Sequence, residues 1–351
     1  MFDNVIGIPS LLISVIIPCY NSEQWIEQAV SSILNQTWGN LEVLVYDDGS
    51  TDKSLAILES LSEEDKRLKI LGDGKNHGIV YALNYLLEVA NGEYIARMDS
   101  DDICVINRIE KQVTFLQENN FDGCGSWFTE IGLGPSKRVR WAHTESALKA
   151  AMLFQNTILH PTFLAHRKVF ERFKYRESYQ LAEDYDFFVR AAQEFHLANI
   201  PEALLYYRRH LEQATQSKRK LMESVTKRVR IEMLSLNNIK ASEDEKYIHN
   251  LIRAPKSIYN MEDFEKIELW LLKLIEHFQE PDAKEVIASQ WTRTAIRAAP
   301  LGLTMFFRYR NSPIRQFINK SSDFDLFILS ILKLSYDSRI YNMLRRFSLS
   351  G

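Results

Sequence analysis

A chain of 351 residues with 46% apolar and 25% charged residues can hold one large or two ordinary globular domains, and is neither disordered nor membrane-embedded in composition. Its three cysteines, Cys19, Cys104 and Cys124, are odd in number and far apart, which excludes a disulfide framework or a thiolate zinc site and suggests a reducing compartment. The formal net charge of −3 is uneven: from Arg293 onward ten Lys/Arg face three acids, leaving +7 on the tail and −10 on the rest, so an anionic surface is the expected partner of the tail.

The start, MFDNVIGIPSLL, lacks the charged and apolar regions of a signal peptide, and the longest apolar run near the end, LFILSIL (326–332), is far too short to span a bilayer. The expected location is the cytoplasm, with peripheral attachment to the cytoplasmic face of the inner membrane.

LISVIIP (12–18) is a short, β-branched apolar run of the kind buried on both faces of a sheet. Asn21 or Ser22 is the predicted cap of a helix with an apolar face of Ile26, Ala29, Val30, Ile33 and Leu34. LEVLVYDD (41–48) is a second strand, followed by a helix opened by Ser50-Thr51-Asp52. RLKILG (67–72) is a third strand. Val80, Leu83, Leu86, Leu87 and Ala90 form a helical stripe with a predicted C-cap at Asn91-Gly92. EYIARMD (93–99) is a fourth strand and 106–119 a further helix. This β-α alternation predicts an α/β fold with a mostly parallel sheet covered by helices on both faces, and ligands of such sheets sit beyond the carboxyl ends of the strands.

From 120 to 212 the pattern loosens, with strand candidates at 158–165 and 203–209 around the helix DYDFFVRAAQEF; beyond about 213 only helical patterns remain, including 261–278. The predicted domains are therefore 1–215 and 216–351, the second all-helical and basic toward its end.

No G-x-G-x-x-G follows the first strand and no P-loop occurs, which argues against dinucleotide binding and P-loop hydrolysis. Acids stand at the strand ends instead: Asp47-Asp48 after the second strand, Asp99-Ser100-Asp101-Asp102 after the fourth. Carboxylates gathered in one crevice repel one another unless solvated or neutralised, and hard Mg²⁺ or Mn²⁺ typically shares such ligands with a substrate diphosphate.

VIIPCYN, DDGSTD, NHGIVYALN, NGEYIARMDSDD and AEDYDFFVRA follow one another in the order and spacing of the family 2 glycosyltransferases, which the chain resembles over about residues 12–212. The resemblance implies a GT-A fold and an inverting, metal-dependent transfer of sugar from a nucleotide-sugar. It assigns the donor nucleotide to Pro18, Tyr20, Asn21, Asp48, Asn76, Gly78, Asn84, Asp99 and Arg208, with Asp48 accepting a base N–H as suits uracil. It assigns Mn²⁺ or Mg²⁺ to Asp101 and Asp99, with His210 as a further ligand, and catalysis to Asp184 as base with Glu183 beside it. An inverting transfer needs one group to take the acceptor proton while the metal holds the leaving diphosphate. The start of a helix also favours an ionised Asp184.

Arg208, His210 and Gln213 match a segment that closes over the donor in this family, and His160 is an acceptor-contact candidate. The processive Q-x-x-R-W motif is absent, so one sugar at a time is expected, delivered to a lipid-linked glycan for O-antigen or capsule. Rival readings are a sugar-1-phosphate nucleotidyltransferase, whose glycine-rich N-terminal loop is missing, and an inactive nucleotide-sugar-binding scaffold, which has no need of Asp101 or Asp184. Arg308, Arg310, Arg315 and Lys320, interleaved with Phe306, Phe307, Tyr309 and Phe317, are a candidate membrane-interface patch. Nucleic acid is not an expected partner of this acidic chain.

Overall fold

The computed structural model describes residues 11–210, 219–254, 257–318, 323–335 and 338. They fall in two compact units, one comprising residues up to Glu145 with Asn156–Val229, the other Ser146–Gln155 with Arg230 onward.

The first unit begins with the predicted alternation: β1 (Ile13–Cys19), α1 (Ile26–Leu34), β2 (Leu41–Asp47), α2 (Ser54–Glu64), β3 (Leu68–Leu71), α3 (Ile79–Val89) and β4 (Tyr94–Arg97). There follow β5 (Ile103–Cys104), α4 (Arg108–Asn119), β6 (Gly123–Gly132), β7 (Lys137–Val139), α5 (Glu145–Met152), β8 (Leu164–His166), α6 (Arg167–Arg172), α7 (Glu183–Glu194) and β9 (Leu197–Arg209), of which α5 belongs from Ser146 onward to the second unit. The strands form one mixed sheet in the order β3-β2-β1-β4-β8-β6-β9-β5, with β7 on β6. β1 pairs in parallel with β2 and β4, and β2 with β3. β8 runs antiparallel to β4 and β6, while β6 and β9 pair in parallel with register shifts near Ser126 and Trp127. Central parallel strands must be apolar on both faces, and accordingly Ile13, Val15, Ile16, Ile17, Val43 and Val45 are fully buried.

Three local expectations are corrected. Helix α1 starts at Ile26 and neither Asn21 nor Ser22 caps it with a side chain. Instead Ser22 O accepts from the N–H groups of Trp25 and Ile26, and the Ser22 hydroxyl is bonded to Ser100 at 2.7 Å. Helix α3 ends at Val89 with an extended Ala90, so Asn91-Gly92 is not its C-cap. Gly92 is required for close approach: a Cβ there would stand 2.4 Å from Ser14 N and 2.8 Å from Leu12 O. Residues 158–165 contain the single turn His160–Thr162 and only then β8.

The second unit contains the helices Glu243–Ile252 (α9), Met261–His277 (α10), Pro281–Arg297 (α11), Leu303–Asn311 (α12) and Asp323–Ile331 (α13); α8 (Arg219–Leu236) leads into it. Phe264 stacks on Trp291 at 4.3 Å in its core. Buried Arg297 donates to the carbonyls of Ile252 and Leu251 at 2.7 and 2.9 Å, satisfying the end of α9. His249 is locked neutral, because Nε2–H donates to Leu153 O at 2.8 Å and Nδ1 accepts from Trp270 Nε1–H at 3.0 Å.

Burial is the main cause that pushes the His249 pKa down to about 3, so the unfolded chain alone takes up a proton at this site between pH 6.5 and 3. Its contribution to stability is therefore present above pH 6.5 and lost as pH falls, at about 1.4 kcal/mol per pH unit. Urea unfolding followed by tryptophan fluorescence should show the expected drop of about 2 kcal/mol from pH 6.5 to 5. A His249→Gln variant, less stable at pH 7, should lack that increment; an unchanged increment would exclude His249 as its source.

The expected basic patch is partly consumed by internal pairs. Arg308 bonds Glu265 and Glu268, each at 2.8 Å, and Arg315 donates to Tyr309 Oη at 2.7 Å and pairs with Asp323 at 3.1 Å. Phe306 and Tyr309 are buried, whereas Phe307 is exposed. Lys320, Arg339, Arg345 and Arg346 lie outside the described residues. No described helix is long and apolar enough to cross a membrane.

Candidate active site

The loops after β1 and β2 are stitched together. Asp48 N–H donates to Cys19 O at 2.8 Å, and Asn21, in a left-handed conformation (φ 48°), accepts from Thr51 N–H at 2.8 Å and donates its own N–H to Ser50 Oγ at 3.0 Å. Asn21 thus shapes the turn through its amide. Pro18 lies in β1 opposite Tyr46, and Tyr20 is half exposed beyond the strand end.

Asp48 is almost fully buried and accepts from the backbone N–H groups of His77 (2.6 Å) and Gly78 (2.9 Å), one on each oxygen. A carboxylate oxygen accepts more than one hydrogen bond, so this anchoring leaves capacity for a ligand N–H. The same bonds fix the 76–78 turn, where Asn76 is exposed and Gly78 has φ 88°. A Cβ at Gly78 would meet Gln180 Nε2 at 3.5 Å, so the loop entering α7 lies against this turn. Asn84 is placed otherwise than expected for a donor contact. Its Nδ2 donates to Tyr175 O at 2.9 Å and its Oδ1 accepts from Tyr175 N–H at 3.0 Å, which clamps the chain leading to α7.

After β4 the acids gather. One oxygen from each of Asp99, Asp101 and Asp102 lies within 4.8 Å of the others. Asp99 pairs with the buried Arg97 at 2.5 Å, and Asp102 accepts from Arg208 N–H at 2.8 Å through Oδ1 while its buried Oδ2 has no partner. His210 Nε2–H donates to Asp101 Oδ2 at 2.9 Å, and the three-carboxylate group does not include it. Arg208 donates to Asp101 O at 2.8 Å and to Gln28 Oε1 at 2.7 Å, with its guanidinium 4.3 Å over the Trp25 ring. Gln213 lies outside the described residues.

Burial raises the pKa of Asp101, and Asp99's charge raises it further. Asp102 is pushed well up by burial and by both neighbouring acids. An all-oxygen set with an orphaned carboxylate oxygen and strong mutual repulsion fits a hard divalent cation. Asp102 is a member that the residue-by-residue assignment left out, although it adjoins Asp101 in the sequence.

Glu183 and Asp184 open α7 just after Leu181, a non-glycine residue at φ 78°. Asp186, fully buried, pairs with Arg176 and with Arg190 (2.8 Å), anchoring the first turn. Asp184 Oδ1 accepts from Tyr185 N–H and Oδ2 from Asn156 Nδ2–H, both at 2.7 Å. Burial raises its pKa, while the Tyr185 bond, Arg97 and Asn156 oppose the rise. Glu183 is pushed to about 7 by burial and by Asp184's charge, and its buried Oε2 has no partner.

Arg97 connects the two acidic groups: it pairs with Asp99, and its charge acts on Asp101, Asp102, Glu183 and Asp184. No sequence signal marked it, since one arginine in an apolar strand says nothing of its burial. His160 is buried, shares a 2.8 Å hydrogen bond with Tyr175 Oη and packs against Phe188; burial drives its pKa far down. Its imidazole is thus held in the core.

The sheet thus carries acids at its strand ends and a carboxylate pair at the start of α7, and comparison with known proteins gives the family. The model for glycosyl transferase family 2 matches residues 14–176. An uncharacterised glycosyltransferase of Haemophilus influenzae is 34% identical over 271 residues, covering 73% of this chain and 83% of its own. The chain belongs to glycosyltransferase family 2. WfgD of Escherichia coli, a UDP-Glc:α-D-GlcNAc-diphosphoundecaprenol β-1,3-glucosyltransferase, is 40% identical over 109 residues, 31% of this chain and 42% of WfgD. The crystal structure of S. aureus TarS 1–349 with UDP-GlcNAc superposes with TM-score 0.57 at 21% identity, covering 88% and 89% of the two chains, a likeness of fold.

Proposed function

We propose that this enzyme transfers a single sugar from a UDP-sugar to a hydroxyl of a lipid-linked glycan, with inversion, using Asp184 as general base and a divalent cation, Mn²⁺ or Mg²⁺, at Asp99, Asp101 and Asp102. The observation that supports this reading is the gathering of Asp99, Asp101 and Asp102 oxygens within 4.8 Å of one another after β4, with Asp99 paired to the buried Arg97, whose charge also acts on Glu183 and Asp184.

The cation, when bound, neutralises the departing diphosphate. The chain's own residues do the rest. Asp48, anchored on the 76–78 turn, accepts the base N–H, and half-exposed Tyr20, just past the end of β1, offers an aromatic face to the base. Arg208, stacked on Trp25 and fixed to Asp101, adds positive charge on the diphosphate side. Asp184 takes the acceptor proton: the helix start and Asn156 hold it ionised. Glu183, pushed to about 7, holds a proton over part of the neutral range, and its unpartnered oxygen suits a hydrogen bond to the acceptor.

The UDP donor and the lipid-diphosphate acceptor are supported by the activity named for WfgD and by UDP-GlcNAc bound to TarS. Exposed Leu303, Phe307, Phe324, Ile331 and Leu332 in the second unit are compatible with a membrane interface where such an acceptor resides. The test is UDP release from UDP-glucose and UDP-GlcNAc with Mn²⁺ and a synthetic lipid-diphosphate GlcNAc. A β-linked product from the α-linked donor is expected, and an α-linked product would overturn inversion.

A further inference from the structure

Asn156 entered none of the sequence assignments, yet it is bound on both ends of its amide. Nδ2–H donates to Asp184 Oδ2 at 2.7 Å, and Oδ1 accepts from Ile158 N–H at 3.2 Å. The amide orientation follows from its partners, because the flipped rotamer would set oxygen against carboxylate and N–H against N–H. The carboxylate it holds has its other oxygen bonded by Tyr185 N–H, so both oxygens of Asp184 are located by fixed donors.

We infer that Asn156 is a positioning residue for the proposed base: its amide N–H sets the orientation of the Asp184 carboxylate and keeps it in the proton-accepting form. This rests on the assignment of Asp184 as base. A base delivers its effect only when held within a few tenths of an ångström of the reacting geometry, and a charge-assisted hydrogen bond to a half-buried carboxylate does so strongly. The charged and titratable groups facing Asp184 are Arg97 from β4, Asp99 beyond it, Tyr175 from the segment before α7, and Glu183 on α7 itself. Arg97 favours the ionised form and Asp99 and Glu183 oppose it, so loss of the Asn156 donor leaves Arg97 as the main side-chain support.

The Ile158 bond supplies the discriminating variant. Asn156→Asp keeps the acceptor for Ile158 N–H and the side-chain shape, but replaces the donor facing Asp184 by a like charge. A residue that only shapes the 156–158 turn tolerates this change; a positioning residue does not. The assay is Mn²⁺-dependent UDP release from UDP-glucose or UDP-GlcNAc, whichever turns over faster, measured across pH. For Asn156→Asp we expect kcat to fall about tenfold or more. Donor KM should stay within about twofold, and the acid limb of kcat should move up by about one pH unit. Asn156→Ala should lose a similar factor in kcat. An Asn156→Asp enzyme with near-normal kcat and an unmoved limb overturns the inference. Asp184→Asn run alongside separates the two failures. If that variant is inactive while Asn156→Asp is normal, only the positioning role falls; if Asp184→Asn itself turns over normally, the base assignment falls first.

Discussion

Asp184→Asn is expected to lower kcat by about 10³-fold while leaving donor KM within about threefold. Asparagine preserves the shape and the acceptor for Tyr185 N–H, but it takes no proton from an acceptor hydroxyl. The thermal midpoint should stay about level, because the new amide sets its N–H groups against those of Asn156 and this offsets the removal of a buried charge. Burial raises the pKa of Asp184 in the folded protein, so the ionised carboxylate at neutral pH opposes folding. A variant that is inactive, donor-competent and no less stable is the signature of a group kept for chemistry at some cost in stability. Turnover within about tenfold of wild type would remove Asp184 from the mechanism.

The second large effect is expected at Asp101. Asp101→Ala should weaken Mn²⁺-dependent UDP binding by about 100-fold, some 2.7 kcal/mol, with little change in metal-free binding. The carboxylate is held between His210 and the repulsion of Asp99, and its removal would leave two acids instead of three to hold the proposed cation. His210 would then lose the acceptor of its Nε2–H, so His210→Asn is the companion variant. It should weaken the metal-dependent term by a smaller factor, as expected of a residue that acts through its hydrogen bond to Asp101. Equal losses in both variants would place His210 among the ligands themselves.

The strand ends were legible in the sequence because a run such as VYDDGS or RMDSDD sets acids directly after an apolar strand, on the short loops where the proposed donor and metal groups stand. Period and composition located β1 to β4 and the intervening helices for the same reason: buried parallel strands have no polar face to confuse the pattern. The region after residue 120 was harder. β6 begins Gly-Cys-Gly-Ser, low in strand propensity, because a Cβ at Gly123 or Gly125 would press to 2.8 Å on Ala165 or Ile158. That requirement comes from packing partners about 40 residues away, and no local window contains it.

The same distance hid Arg97 and Asn156. Arg97 looks like a surface residue of a strand until β8 and the chain around Tyr175 cover it, and Asn156 reads as a loop amide until α7 brings Asp184 to it. Conversely, Asn84 and His160 were marked by motif position, whereas their polar atoms engage Tyr175 in the interior. At Asp48 and Asn21 the bonds that shape the turns after β1 and β2 are made by the same side chains that the sequence marked for the donor.

The most direct test of the central claim is calorimetric titration of the full chain with UDP, with and without Mn²⁺, against GDP, CDP and dTDP as competitors for the same site. The account predicts UDP as the tightest ligand, with affinity increased about tenfold or more by the cation. Failure of every nucleoside diphosphate to bind in a metal-dependent way would contradict it.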